Sequence, residues 1–126
     1  SMKIDPIDLR LLFYNDELCE NFKKMIKILN IYKYNYCSFN NLDEMIKFHK
    51  IFENILQLRC NIDDLEHICF LLYRFQSLSI INIYISSSHN NEYVLSFIKK
   101  LSFKLHFNFL AKPAYLNTLE LSIWIR

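Results

Sequence analysis

Apolar segments of strand length alternate with amphipathic segments of helix length along most of this 126-residue chain. The segments with the length and the β-branched or aromatic content of strands are residues 9–14, 32–39, 54–60, 79–86 and 104–111. The segments with apolar residues at helical spacing are residues 18–29, 41–52, 64–75, 90–101 and 114–125. Such alternation implies crossover connections, and it predicts one α/β domain with a five-stranded parallel sheet and helices on both of its faces.

The last of these segments is ambiguous. We predict a helix over residues 114–125, but "LELSIWI" (119–125) would pass equally well for a strand. The chain also contains no glycine. Positions that need a positive φ must therefore use Asn or bear strain.

Composition and charge limit the classes of protein to which this chain can belong. The chain is 52% hydrophobic, which is enough for a sizeable core, and we interpret residues 1–126 as a single domain, with Ser1 a cloning remnant before Met2. The net charge is only +2 and the cations are spread out, which argues against nucleic-acid binding by this domain. The apolar runs are too short to span a bilayer, no secretory leader is visible, and the four cysteines lack CxxC spacing. These features predict a cytoplasmic protein with reduced, packed thiols.

Polar loops follow each predicted strand. In parallel α/β sheets the loops at the carboxyl ends of the strands form the binding site. Here these loops are "NDE" (15–17), "SFNN" (38–41), "RCNIDD" (59–64), "SSSHNN" (86–91) and "KPA" (112–114).

Over roughly residues 8–126, these loops and their order resemble the receiver domain of bacterial response regulators. The residues that carry the resemblance are Asn15 and Asp16 at the acidic pair, Arg59 at the phosphoacceptor position, Asn61 in the following loop, Ser86 or Ser87 at the Ser/Thr position, Phe109 at the switch aromatic, and Lys112 before Pro113. The resemblance implies a flavodoxin-like (βα)5 three-layer sandwich. It also implies a cis peptide bond between Lys112 and Pro113.

The departures from the receiver pattern predict that phosphoryl transfer has been lost. Arg59 stands where the family has its nucleophilic aspartate, and a guanidinium repels a divalent cation instead of binding it. Asn15 halves the charge of the acidic pair. The expected protein is therefore a pseudo-receiver that has no metal or cofactor, is not an enzyme, and acts independently of phosphorylation as an interaction or dimerisation module. The resemblance implies a role in two-component signalling, the phosphorelay or transcription control. In a transcription factor, an output domain appended beyond Arg126 would contact DNA.

Several alternatives stay open at this point. Asp63 or Asp64 could be a substitute phosphoacceptor, although a solvated or helix-capping role suits a loop carboxylate better. Cys60 or Asp64 could be the nucleophile of a small α/β hydrolase-like enzyme, although a packed thiol is the simpler interpretation of Cys60. A purely helical interaction domain is a third alternative, against which the β-branched run at 79–86 counts.

Two further hypotheses concern particular contacts. Without a metal, Asp16 is expected to pair with Arg59 across the strand ends, or with Lys112. The resemblance also points to the surface that the family forms from its fourth helix, fifth strand and fifth helix as a homodimer or partner interface. On this chain its members would be Tyr93, Phe97, Leu121 and Trp124.

Overall fold

The computed structural model describes residues 2–15, 17, 26–34, 36–86, 91–114 and 117–125. Strands and helices alternate within these ranges until the last two strands, which follow each other directly. In chain order the elements are β1 (Met2–Lys3), α1 (Pro6–Leu12), β2 (Ile28–Asn30), α2 (Leu42–Ile51), β3 (Gln57–Asn61), α3 (Leu65–Arg74), β4 (Ile80–Ser86), α4 (Asn91–Leu105), β5 (Asn108–Pro113) and β6 (Thr118–Trp124).

The six strands form one mixed sheet in the order β1-β2-β3-β4-β6-β5. Strands β1 to β4 pair in parallel, whereas β6 pairs antiparallel with both β4 and β5. The predicted five-stranded parallel, flavodoxin-like sandwich is therefore wrong. The chain does not end in a helix; it turns back after β5 and inserts β6 between β4 and β5.

The burial of β6 explains this difference. Leu119, Leu121 and Ile123 are buried, while the residues between them are less so. This strict alternation is the period of a strand with one buried face. Leu121 lies opposite Ile83 of β4 and Ala111 of β5, so the hairpin extends the core.

The expected cis bond before Pro113 is also wrong, because the described residues contain no cis peptide bond. Pro113 is the last residue of β5, which is the edge strand of the sheet. A proline is tolerated there because an edge strand has one side without ladder hydrogen bonds.

The amino-terminal elements also differ from the prediction. Residues 9–14 are not a strand: helix α1 covers most of them, with Pro6 in its first turn and the Asp5 side chain accepting a hydrogen bond from the Ile7 amide at 2.9 Å. The predicted strand at 32–39 has no counterpart among the described residues. Strand β2 instead overlaps the end of the predicted helix 18–29, of which residues 18–25 fall outside the described ranges.

The central elements agree with the sequence analysis. Helices α2, α3 and α4 and strands β3 and β4 lie where their periodicity predicts them, within a few residues at the ends. Asn41 caps α2 by accepting from the Glu44 amide at 2.9 Å, and Asp64 caps α3 by accepting from the Glu66 amide at 2.9 Å. Both are typical N-cap residues.

The core lies on one face of the sheet. Strands β1 to β4 lie side by side in the sheet in the same order as in the chain. Connections between parallel strands are right-handed, so successive connections that step across the sheet in one direction place their helices on the same face. On that face Leu29, Leu58, Ile81 and Ile123 are register partners across four strands, and all are buried. Helices α1 to α4 contribute buried side chains to the same cluster. The expectation of helices on both faces is therefore corrected to a two-layer arrangement.

Two described residues have a positive φ without being glycine: Asn117 at 57° and His106 at 58°. Asn117 lies in the turn between β5 and β6, where the glycine-free sequence predicts Asn, and His106 follows the end of α4. No helix within the described ranges is long and apolar enough to cross a membrane.

Candidate functional site

The sheet face opposite the core presents a continuous polar and aromatic surface, which we call the open face. Strand register defines it, since paired residues point to the same side of a sheet. Its members are Lys3, Ile28, Asn30, Gln57, Arg59, Asn61, Ile80, Asn82, Tyr84, Ser86, Asn108, Leu110, Lys112, Thr118, Glu120, Ser122 and Trp124. A shallow depression of about 330 Å³ lies over its β1–β3 side and reaches Arg59 and Asn82.

Arg59 forms the centre of an aromatic cluster on this face. Its Nη2 donates a hydrogen bond to the Tyr84 hydroxyl. The guanidinium carbon lies 5.0 Å from the ring centre of Tyr84 and 5.5 Å from that of Tyr32, and the two ring centres are 4.1 Å apart. Contacts between a guanidinium and aromatic rings are attractive, and they hold the planar cation in a defined orientation while it stays exposed.

Tyr84 is almost fully buried, although it belongs to the open face. Burial raises the pKa of its hydroxyl; the nearby Arg59 opposes this shift, and Glu120 adds to it. The hydroxyl is therefore neutral at physiological pH and can both donate and accept hydrogen bonds. Tyr84 and Glu120 are register partners on β4 and β6.

Charge on the open face is mainly positive. Lys3, Arg59 and Lys112 supply cations, and Glu120 is the one acid among the described members of the face. Glu120 also faces Lys112 on β5, with 3.7 Å between Oε2 and Nζ. This pair is loose, and the Lys112 side chain is 60% exposed, so it adds little to stability. The face therefore favours a ligand that carries negative charge.

A second concavity lies at the carboxyl ends of β3 and β4, and we call it the strand-end pocket. It measures about 260 Å³ and is lined by Tyr32, Tyr34, Cys37, Asn61, Asp63, Ser86 and Thr118. Asp63 spans it: Oδ1 accepts from the Ser86 amide at 3.0 Å, and Oδ2 accepts from the Cys37 thiol at 2.8 Å. The carboxylate therefore ties the end of β4 to the loop that follows β2.

Asn61 forms the inner wall of the strand-end pocket. Its backbone amide donates to Ser38 Oγ at 2.8 Å, and Ser38 Oγ donates to the carbonyl of Ile31 at 3.2 Å. Its side chain is buried, and its Oδ1 has no hydrogen-bond partner within the described structure. A buried acceptor without a hydrogen-bond partner lowers the stability of the folded protein, because its hydrogen bond to water is lost and not replaced.

The residues predicted from the receiver resemblance are spread over several places. Arg59 and Lys112 lie on the open face, and Asn61 and Ser86 line the strand-end pocket. Asn15 follows helix α1 instead of a strand. Phe109 points to the core side of β5 and packs against it.

Asp16 and Ser87 lie outside the described residues, so the expected Asp16–Arg59 and Asp16–Lys112 ion pairs stay predictions. The contacts that the structure gives for Arg59 are with tyrosines. The ion pair that it gives for Lys112 is with Glu120.

The four residues of the expected dimer surface do not share one surface. Tyr93 is exposed and Phe97 half-buried on α4, whereas Trp124 is 39% exposed on the open face. Leu121 is fully buried in the core, where no partner can reach it. The expected surface required a carboxyl-terminal helix, and β6 takes its place.

The candidate nucleophiles have other roles in the structure. Cys60 is fully buried, and burial raises the pKa of its thiol, which keeps it neutral and inert. Burial, together with the hydrogen bond to Asp63, raises the pKa of the Cys37 thiol to about 11. Asp64 is the N-cap of α3. Among the described residues, no group of His, Cys, Asp or Glu is arranged to hold a metal ion.

Sequence reasoning missed Tyr32 and Tyr84, which hold Arg59 in place. One signal was available: in "IINIYIS" (80–86) Asn82, Tyr84 and Ser86 alternate with buried isoleucines. That alternation is typical of a strand with one face outside the core. Tyr32 gave no comparable signal, because it belongs to a loop.

Comparison with known proteins gives no assignment: no family model matches the chain, and neither a curated protein nor a solved structure is significantly similar to it.

Proposed function

We propose that this chain is a non-catalytic protein-interaction module that binds an acidic, partly apolar segment of a partner protein on its open face. The observation that carries the proposal is the open face itself. Parallel sheets are found almost only with both faces covered, because helices usually lie on each side. Here four neighbouring strands are parallel, yet the described helices pack on one side only.

The residue types on the open face suit protein binding. Arg59 and Trp124 are exposed, and they are of two of the residue types that most often dominate the binding energy of protein interfaces. Leu110 and Ile28 are exposed near its two sides and can cover apolar side chains of a ligand. The aromatic cluster fixes the Arg59 guanidinium before binding, which lowers the entropy lost when it pairs with a carboxylate.

An interaction role without phosphorylation was also expected from the receiver resemblance. The reason is now different, since that resemblance depended on a five-stranded parallel sheet that the chain does not form. A role in two-component signalling is accordingly no part of this proposal. The proposal depends on the open face alone.

A displayed library of random peptides tests the proposal. We expect selection on the purified protein to enrich peptides that combine Asp or Glu with apolar residues. Binding of a synthetic copy should weaken about tenfold or more in Arg59→Glu and in Trp124→Ala, and it should weaken with added salt. Phe103→Ala is the matched control, because Phe103 is the most exposed aromatic of α4, outside the open face.

Two results would contradict the proposal. One is a selection that yields no peptide with saturable binding. The other is a bound peptide whose affinity changes as much in Phe103→Ala as in the two open-face variants.

A further inference from the structure

We infer that the acidic segment bound by the open face is an α-helix that lies across the strands, with two carboxylates seven positions apart that reach Lys3 and Arg59. The inference rests on the proposed function, because it concerns how the same face is occupied. Three features of the face support it: the backbone pairing of the sheet, the direction of the depression over β1 to β3, and the charge of the residues that line this depression.

The backbone pairing of the sheet disfavours an extended ligand on the open face. Strands β2, β3, β4 and β6 each have a paired strand on both sides, so their N–H and C=O groups are used within the sheet. The face therefore offers only side chains to a ligand. An extended segment lying on it would bury its own backbone groups without regular partners, which costs free energy. A helix satisfies these groups internally, whereas an extended segment finds backbone partners only at an edge strand such as β5.

The depression on the open face runs across the strands. Its lining residues include one row of register partners from four neighbouring strands: Lys3, Asn30, Arg59 and Asn82. Neighbouring strands lie about 4.8 Å apart, so this row is about 14 Å long. Along the strands the depression covers no more than three residues, such as Ile28–Asn30 of β2, or about 7 Å. An elongated ligand therefore fits the depression in the direction of the row.

The distance between the two cations determines the spacing of the acids in the ligand. Lys3 and Arg59 are two strands apart in the row, which places their Cα atoms about 10 Å apart. A helix rises about 1.5 Å per residue, so residues seven positions apart are separated by about 10.5 Å and lie on the same side of the helix. In an extended segment, with about 3.3 Å per residue, the same distance corresponds to three positions. The two conformations therefore predict different spacings.

The charge of the depression favours an acidic ligand. None of its described lining residues is Asp or Glu, and Lys3 and Arg59 are its two cations. Both are exposed, and the Lys3 side chain makes no hydrogen bond or ion pair within the described ranges. Arg59 donates one hydrogen bond to Tyr84, and a guanidinium has five N–H groups, so others can bind a carboxylate.

Double-mutant cycles between the chain and a peptide test the inference. The probe is a synthetic copy of the tightest open-face peptide from the displayed library. Lys3→Gln and Arg59→Gln are each combined with an amide in place of each acid of the peptide, and dissociation constants are measured at low salt. We expect each cation to couple with a different acid, by about two- to fivefold in affinity, and the two acids to be seven positions apart.

A proline in the peptide and a distant lysine of the chain complete the experiment. Proline at the middle of the peptide should weaken binding at least about tenfold, because it breaks a helix. Lys99→Gln is the matched control for Lys3→Gln, since Lys99 is exposed on α4 outside the open face, and it should couple with neither acid. Thermal unfolding without peptide shows whether each variant is folded. If Arg59→Gln is not, the proline peptide decides, because it needs no variant of the chain.

The inference is overturned if the two acids have any spacing other than seven, if Lys3 couples with no acid, or if the central proline leaves the affinity unchanged. A spacing of three would indicate an extended segment. In each of these cases the peptide still binds the open face, so the proposed function stands. If the library yields no peptide whose binding Arg59→Glu and Trp124→Ala weaken, the proposed function and the inference fail together.

Discussion

Replacing Leu121 by Ala distinguishes the observed carboxyl-terminal strand from the helix that the sequence predicts. In the structure Leu121 is fully buried on β6, between Ile83 of β4 and Ala111 of β5. In the predicted helix, the core stripe contains Leu119 and Ile123, and Leu121 lies away from it. The same substitution therefore has opposite expected outcomes.

The expected loss follows from the burial of Leu121. Truncating a fully buried leucine removes its transfer free energy and leaves a cavity, at a cost of about 2–5 kcal/mol. Because Leu121 is in a central strand paired on both sides, we expect a value within this range. A domain of this size is stable by about 5–15 kcal/mol, so the variant should still fold but with a clearly lower transition midpoint.

Urea unfolding followed by circular dichroism and by the fluorescence of the single tryptophan measures the effect. Equal slopes for wild type and variant would show that the change is one of native-state stability. Ser122→Ala is the matched control, since Ser122 is on the open face of the same strand, and it should change stability by no more than about 0.5 kcal/mol. A loss below about 1 kcal/mol in Leu121→Ala, or an equal loss in both variants, would refute the assignment of β6.

Three shorter predictions follow from single contacts. In urea titrations Arg59→Ala should lower the free energy of unfolding by only about 0.5–1 kcal/mol, because Arg59 is an exposed cation that contacts aromatic rings. A loss of about 3–5 kcal/mol would indicate a buried ion pair instead. In thermal unfolding Asn117→Ala should destabilise the protein by about 1 kcal/mol and Asn117→Gly should not, because the positive φ at this position is unfavourable for Ala and not for Gly. Equal effects of the two substitutions would contradict this explanation. The Cys37 thiol has its pKa raised from 9.0 to about 11, so its contribution to stability is complete below pH 9 and is lost as the pH rises through 11. Melting temperatures between pH 8 and 11 should therefore fall less steeply in Cys37→Ser, and a slope equal to that of the wild type would contradict the shift.

The middle of the fold could be predicted from the sequence because local signals and tertiary structure agree there. Helices α2 and α3 have a capping residue at the start and one apolar stripe, and β4 is rich in isoleucine. Each of these signals is contained within a single element. Their positions do not depend on which strand lies next to them.

The two ends of the fold could not be predicted in this way, because their apolar residues satisfy both periods. "LRLLFY" (9–14) reads as a short strand, but the Asp5 cap and Pro6 before it start a helix. "LELSIWI" (119–125) fits either structure, and pairing with both β4 and β5 decides for the strand. Sheet order is a non-local property, so a local pattern cannot give it.

The candidate site was predicted only in part, for the same reason. Asn61, Ser86 and Lys112 lie within the last two residues of their strands, whereas Arg59 lies in the middle of β3. Which face each side chain takes, and which aromatic ring covers it, depends on the register between strands. The tyrosines around Arg59 could not be associated with it before the register was known.

The most direct test of the proposed interaction surface is a nuclear magnetic resonance titration of the nitrogen-15-labelled protein with a peptide obtained by selection. Trp124 gives the single indole N–H signal of the chain, and it lies on the open face. We expect this signal, and the amides of Arg59 and Asn82, to shift saturably while the amides of exposed α4 residues stay unchanged. Shifts confined to α4, with the Trp124 indole signal unmoved at saturation, would contradict the account.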